Sequence, residues 1–369
     1  MASDASLTLL QAYVPTNKAW LAALKAASSP EALIRKSIPE LHALGLPADG
    51  IRRLKSPDPQ VTASWQHWLD EPGRAVLIYG TAAYPKQLEQ LPDAPIALWV
   101  DGPELTLLEA AQFAIVGSRN PSKGGRATAE DLAFDLSDCG ITITSGLAVG
   151  IDGASHVGAL RGVGRSIAVL GCGIDIVYPR QHRKLAQDMA QRGLLVSEYP
   201  PGTLIRQHQF PQRNRIIAGL SLGTLVVEAT RRSGALITAR LAADYGRDVF
   251  AVPGSIHNPL ARGCHALIRD GAKLVEEVGD ILVEIAPQID RSNSCEKYSN
   301  QQDDVSIDDD PAYTKLLDLM GFEPLGMPIL MERTGLTAAE LSSMLLLLEL
   351  GGAIEALPGA RYCRLIKRS

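Results

Sequence analysis

Between Glu198 and Glu228 the chain carries Arg206, His208, Arg213 and Arg215 but no aspartate or glutamate, and Phe210 stands among these cations. Clustered cations beside an aromatic ring are what a single strand of nucleic acid requires: guanidinium forks meet phosphates, and the ring gives a base a face to stack on. Stacking is worth roughly 1–3 kcal/mol per base, and each arginine–phosphate contact adds a salt-sensitive contribution. The segment reads RQHQFPQRNR, so Asn214 separates the two central arginines. Two residues apart, Arg213 and Arg215 cannot share one face of a helix. One is expected to meet a ligand and the other the fold; the spacing does not say which. Phe210 has packing in the core as its alternative.

Three further segments carry small residues where a strand gives way to a helix. FAIVGSRNPSKGG (113–125) ends an apolar run at Gly117, followed by Ser118, Arg119 and Lys123. In an open α/β sheet, ligands sit beyond the carboxyl ends of the strands, where free backbone N–H groups and a helix dipole favour an anion. ITITSGLAVGIDGASHVG (141–158) offers Ser145 and Gly146, with Asp152 able either to cap the next helix or to touch a ligand. His156 falls inside that helix and reads better as a packed, hydrogen-bonded residue than as a catalyst, since no nucleophile or metal ligand stands beside it. Ser233 and Gly234 open a further helix that carries Thr238, a third N-terminus suited to an anion. In SIAVLGCGIDIVYP (166–179), Ile176 occupies the place of the third glycine of a dinucleotide fingerprint, so neither NAD nor FAD is expected.

These segments need a scaffold. From Ala75 onward, short apolar runs alternate with helix-length stretches: AVLIY (75–79), ALWV (97–100), FAIVG (113–117), ITITSG (141–146), SIAVLG (166–171), LLVSE (194–198), TLVVE (224–228) and DVFAVPG (248–254). Continuous apolar runs are the mark of buried parallel strands, and their alternation with helices implies βαβ units. The expectation is an α/β fold with a doubly wound parallel sheet over 71–286. Residues 1–70 read as helices and fit a small module of the sterile-alpha-motif or helix-hairpin-helix kind, or a plain packing domain. Residues 287–310 are polar and acidic, with Asp303, Asp304, Asp308, Asp309 and Asp310, and read as a linker. Residues 311–369 show three helical patterns, 312–320, 328–334 and 338–350, then a hairpin pattern, AIEALPGARYCRL, which suggests a winged helix. Its second long helix (337–352) has Glu340 and Glu349 but no lysine or arginine, so contact with a partner or with the chain itself is expected there rather than duplex reading. Arg361, Arg364, Lys367 and Arg368 leave phosphate contact open to the wing.

Composition excludes some classes. The formal net charge of −5 rules out a wholly basic surface but not a basic pocket, because salt screens distant charges. Five scattered cysteines (139, 172, 264, 295 and 363) show no ligand spacing, so no metal is expected and the thiols read as reduced. No 18-residue apolar run suggests a membrane span, and no basic region precedes an apolar stretch at the N-terminus, so a cytoplasmic location is expected.

Taken together, YPKQL (84–88), IVGSR (115–119), SGLAVGID with His156, AVLGCGID with YP, SEYPPG (197–202), FPQRNRIIAGLS (210–221), VVEA with SGALITA, GRDVFAVPG (246–254) and GCHALIRDGA resemble the DprA/Smf family over about 84–274. The resemblance implies an extended Rossmann-like domain that binds single-stranded DNA without catalysis or cofactor. It also implies a homodimer that protects incoming DNA and loads the RecA recombinase in natural transformation. By motif position it places DNA contacts on Arg119, Arg206 or His208, Phe210, Arg213 and Arg215, and a dimer contact near Cys264, His265, Leu267, Ile268 and Leu274. His208 departs from the lysine or arginine usual before FP. The C-terminal module is similar to the family's winged helix. The rival reading is a nucleotide phosphoribohydrolase of related fold, suggested by GTLVVE (223–228), although Ser221 and Leu222 replace the paired glycines expected there.

Overall fold

The computed structural model describes residues 3–15 and 18–289, and in the C-terminal part 313, 316, 319–320, 325–336, 341, 344–345, 348, 354–357 and 361–364. The chain divides into two compact units, Met1–Ser294 and Cys295–Ser369.

In the first unit, six helices come first: α1 (Asp4–Ala12), α2 (Lys18–Ala27), α3 (Pro30–Arg35), α4 (Ile38–Ala43), α5 (Ala48–Lys55) and α6 (Pro59–Leu69). Several starts are set by local chemistry. Ser3, Ser29, Ser37 and Asp58 each accept a backbone N–H with the side chain, and proline occupies the first turns of α3, α4 and α6. Nine strands follow: β1 (Arg74–Ile78), β2 (Ala97–Asp101), β3 (Gln112–Val116), β4 (Thr142–Ser145), β5 (Ser166–Leu170), β6 (Leu194–Ser197), β7 (Gly223–Val226), β8 (Asp248–Ala251) and β9 (Lys273–Leu274). The helices among them are α7 (Lys86–Glu89), α8 (Lys123–Asp138), α9 (Ile151–Ala159), α10 (Arg183–Arg192), α11 (Gln209–Leu220), α12 (Ala235–Asp244), α13 (Arg262–Arg269) and α14 (Val278–Ile285).

The strands form one sheet in the order β1-β2-β6-β5-β4-β3-β7-β8-β9. Pairs from β6 to β9 are parallel, while β2 pairs antiparallel with both β1 and β6. The sheet is therefore mostly parallel, with β2 alone running against the other eight. The doubly wound parallel sheet expected from the sequence is present, with β2 as its reversed member. An apolar run such as ALWV carries no signal of direction, and only the chain reversal after β1 sets it.

Alternation along the central strands divides the core. Phe113, Ile115, Leu225 and Val227 pack with α8, α9 and α14, whereas Ala114, Val116 and Val226 belong to the cluster of α11 and α12. The helices of residues 4–69 share this second cluster, and Trp65 and Trp68 meet Trp99 of β2 edge-on at 5.3 and 5.7 Å. Each such pair is worth about 0.5–1.5 kcal/mol beyond simple burial. Strand order reverses between β3 and β7, so the chain opens a crevice there, at the carboxyl ends of the two strands.

In the second unit, β10 (Leu325–Gly326), α15 (Met327–Thr334), β11 (Ile354–Leu357) and β12 (Arg361–Arg364) are described, with an antiparallel sheet in the order β10-β12-β11. Leu316, Met320, Leu325, Leu330, Leu341, Leu345, Leu348 and Ile354 form its core. Helix-flanked strands closing in a hairpin match the winged-helix expectation. Most of the helix expected at 337–352, the acidic stretch 303–310, and Lys367 and Arg368 lie outside the described residues. Among the described residues no helix is long and apolar enough to cross a membrane.

Candidate nucleic-acid interface

A pocket of about 530 Å³ occupies the crevice between β3 and β7. Its walls are the loop Gly117–Asn120 after β3, Phe210, Arg213, Asn214 and Ile217 of α11, and Thr230, Ser233 and Gly234 after β7; Asp152 lies on its floor. Gly117, Ser118, Arg119, Phe210, Arg213, Asn214, Ser233 and Gly234 are thus brought together from segments a hundred residues apart.

Two packed loops set the position of Arg119. The Ile151 N–H donates to the Ser118 carbonyl at 3.1 Å, tying the loop after β3 to the start of α9. Gly150 makes this approach possible: its φ is +89°, and a Cβ there would run into the carbonyl oxygens of Ser118 and Arg119. The exposed Arg119 guanidinium then lies 6.0 Å from the centre of the Phe210 ring. Phe210 is half-buried, and Tyr178 lies against it at 5.4 Å and 39°. The ring therefore forms part of a cation-flanked aromatic platform rather than a core plug. Tyr178, 44% exposed, is a member that nothing in the sequence pattern singles out.

Arg213 and Arg215 are both buried, at 5% and 4% exposure, but on opposite sides of α11. Arg213 Nη1 donates to the carbonyls of Gly146, at 2.6 Å, and of Val169, and Nε donates to Asn214 Oδ1 at 3.2 Å. Its guanidinium fills the space a Cβ at Gly146 would need. Asp152 accepts the N–H groups of Gly146 at 3.2 Å and Ala148 at 3.4 Å. Burial pushes the Asp152 carboxyl up, opposed by the nearby Arg213; burial likewise pushes Arg213 down, opposed by Asp152. Arginine nevertheless stays charged, so the floor of the pocket holds a desolvated cation that gains from an arriving anion.

Arg215 corrects the expectation that it contacts a ligand. Its Nη2 donates to both carboxylate oxygens of Glu198 at 2.6 Å, and Nη1 donates to the Asp93 carbonyl at 2.6 Å. The Tyr13 hydroxyl of α1's C-cap donates to the same carboxylate. Burial alone would lower the Arg215 guanidinium, but Glu198 outweighs it and holds the group firmly charged. The two arginines of one helix turn thus do different work: Arg213 faces the pocket, and Arg215 binds the N-terminal helices to the sheet.

Other expected residues also lie elsewhere. Ser145 is buried and donates to the Ile115 carbonyl at 2.6 Å, and Gly146 lies beneath Arg213, so neither lines the pocket. Lys123 is exposed on the first turn of α8, outside the pocket. Nor is that helix N-terminus open to an external anion. Glu228 already fills it, accepting from the Ser122 N–H at 2.8 Å and the Ser122 hydroxyl at 2.7 Å, while Ser122 Oγ accepts the Gly125 N–H at 2.9 Å. Glu228 thereby pins Ser122, 106 residues away, and with it the end of the loop that carries Arg119. Arg206 and His208 line a separate cleft with Tyr13, Trp65 and Tyr199. His156 behaves as expected. It is buried, its Nε2 accepts the Leu147 N–H at 3.2 Å and its Nδ1 pairs with Ser166 Oγ at 2.8 Å; burial, then the charges of His182 and Arg213, lower it to about 3.

Of the residues expected at a dimer contact, Cys264 lies in the core with Sγ against the Val226 and Val227 carbonyls, because α13 turns that face toward β7. His265, Leu267 and Ile268 are half-buried, and Leu274, 45% exposed, stands on the edge strand β9.

Comparison with known proteins agrees with this architecture. Residues 75–286 match the family model described as DNA recombination-mediator protein A, and residues 301–360 match the DprA winged helix domain. Protein Smf of Escherichia coli K12 is 44% identical over 308 residues, covering 81% of this chain and 79% of that protein. The DNA processing protein DprA of Streptococcus pneumoniae R6 is 47% identical over 201 residues, 54% of this chain and 71% of that one. A crystal structure of DprA from Streptococcus pneumoniae superposes with a TM-score of 0.69 at 36% identity, covering 77% of this chain and 98% of that chain. A structure of DprA from Helicobacter pylori, described for its single-stranded DNA binding mode, gives a TM-score of 0.54 at 27% identity, over 60% of this chain and 99% of that one. With a matching fold, a family model matched over more than half of the chain and a relative this similar over most of both chains, the protein belongs to the DprA/Smf family of DNA-processing proteins.

Proposed function

We propose that this chain binds single-stranded DNA in the pocket between β3 and β7, without catalysing a reaction on it. The observation that carries the reading is the convergence of Arg119, Phe210, Arg213 and Asn214 on one open crevice. Arg213 waits as a buried cation for a phosphate, Phe210 with Tyr178 offers a stacking face, and Arg119 closes over the ring as a second phosphate or stacking partner. Nothing in the pocket resembles a base-edge reader, so sequence preference is weak. Through this grip the protein protects incoming DNA and presents it to the RecA recombinase during transformation. A homodimer formed around His265, Ile268 and Leu274 then holds one strand at two sites and gains avidity.

The test is a salt titration of oligo-dT binding to the wild type and to Arg119→Ala. One lost phosphate contact lowers the log–log slope by roughly 0.7. No binding of the wild type at low salt refutes the reading. Release of free base from nucleoside monophosphates would support the phosphoribohydrolase alternative instead.

A further inference from the structure

The cleft that holds Arg206 and His208 has a volume of about 820 Å³ and lies across the first turns of α11 from the DNA pocket. Phe210 and Arg213 face the pocket, while His208, Gln209 and Gln212 line the cleft, so the same stretch of chain walls both. The far wall belongs to the N-terminal helices, with Tyr13 after α1, Arg53 of α5 and Trp65 of α6. Trp99 of β2 and Glu198 after β6 also line the cleft, which places it at the β2–β6 end of the sheet. Helix α13 and strand β9 lie toward the other end, so a dimer contact on those elements leaves the cleft open.

The acidic groups of this cleft are engaged and its cations are not. The Glu198 carboxylate accepts from Arg215 and Tyr13, and Asp58 accepts the Gln60 N–H at 2.8 Å. Arg206 and His208 are exposed, and no ion pair among the described residues involves either. Arg53 meets Asp49 at 3.0 Å in a partly exposed pair, a kind that contributes little, and its Nε is buried without a hydrogen-bond partner. Between these cations stand two apolar side chains on opposite walls, Val14 and Leu204, 42% and 73% exposed. The loop bearing Leu204 is held in place. The Thr203 carbonyl accepts the Gly173 N–H at 2.9 Å, Gly202 N–H donates to Asp175 Oδ1 at 2.9 Å, and Trp65 Nε1 donates to the Pro201 carbonyl at 3.4 Å.

An apolar slot edged by free cations suits a flat ring that carries a phosphate. We infer that the cleft is a second base site for the same DNA strand, in which Val14 and Leu204 enclose a base while Arg53 and Arg206 meet its phosphates. This rests on the DNA reading of the pocket. The strand crosses the start of α11, with one base on Phe210 and a nearby one in the cleft. The N-terminal helices thereby supply half of this second grip, and the Arg215–Glu198–Tyr13 anchor fixes the width of the slot.

The experiment uses the full chain and oligo-dT of about 20 nucleotides, titrated with salt for the wild type, Leu204→Ser and Arg53→Gln, with urea denaturation of each variant to check the fold. Leu204→Ser should bind about 4- to 15-fold more weakly with an unaltered salt slope, because an apolar contact worth one or two methylenes is lost. Arg53→Gln should lower the log–log slope by roughly 0.7. Oligo-dT carrying 4-thiothymidine should photocrosslink to the 13–15 segment as well as near Phe210. Wild-type affinity in Leu204→Ser, a wild-type slope in Arg53→Gln, or adducts near Phe210 alone would each overturn the inference. None of these touches the pocket reading, since neither residue lines the pocket. Failure of the wild type to bind at low salt refutes the pocket reading itself.

Discussion

Replacing Phe210 by alanine separates stacking from charge. The ring lies above Gly171, where a Cβ would come within 2.9 Å of Phe210 Cδ1, and it touches Tyr178 on one side and Arg119 on another. It is only half-buried, so the substitution leaves a surface notch rather than a sealed cavity. A base stacked on the ring contributes roughly 1–3 kcal/mol, so affinity for oligo-dT should fall about 5- to 150-fold. No charge is lost, and the slope of log affinity against log salt should remain at its wild-type value. Arg119→Ala should behave differently, with a shallower slope by roughly 0.7. Fluorescence anisotropy with a labelled oligonucleotide over a salt series reads both quantities, and urea denaturation of each variant checks that the fold persists. Full affinity in folded Phe210→Ala protein would refute the stacking argument. A slope change equal to that of Arg119→Ala would show that the ring acts by placing the arginine.

Glu198→Ala strands the buried Arg215 guanidinium and should cost about 3–5 kcal/mol in urea denaturation, with the salt slope of DNA binding unchanged in the protein that remains folded. Gly150→Ala forces a side chain into a positive-φ position and against the Ser118 carbonyl, so it should lower stability by at least about 1–3 kcal/mol and weaken oligo-dT binding in proportion to the displacement of Arg119. His156 is lowered to about 3 from an ordinary 6.5, so the unfolded chain takes up a proton that the folded one refuses. Its contribution is complete above about pH 6.5 and is lost as pH falls toward 3, by up to about 1.4 kcal/mol per pH unit; His156→Asn should flatten the fall of unfolding free energy over that window. Burial pushes the Cys172 and Cys264 thiols up to about 11, so at pH 8 only about one in a thousand is ionised and both should resist alkylation in the native protein.

The strands of the sheet were legible because a parallel strand covered on both faces must be apolar throughout, and FAIVG or SIAVLG has no other economical fold. Direction was not legible: β2 reads the same whichever way it runs. Strand β9, two residues long, left no periodic trace at all. The arginine-rich segment announced the pocket, yet the pattern could not separate Arg213 from Arg215, whose surroundings are set by Asp152 and Glu198, partners far away in sequence. For the same reason Glu228 was read as the end of a strand, when its carboxylate holds the turn that carries Arg119. Small residues between strand and helix suit the approach of a ligand, but at Gly146 and Gly150 the approaching group belongs to the protein itself.

Helix α11 is fastened on both flanks, by Arg213 to the carbonyls of Gly146 and Val169 and by Arg215 to Glu198 and Asp93. A strand of DNA that reaches Phe210 and Arg213 therefore meets groups whose freedom was surrendered during folding. Little further ordering entropy is lost on binding, in contrast to recognition by a segment that folds around its ligand. Calorimetry should accordingly find a small heat-capacity change, in keeping with a limited area newly buried, and affinity set by what the pocket already is.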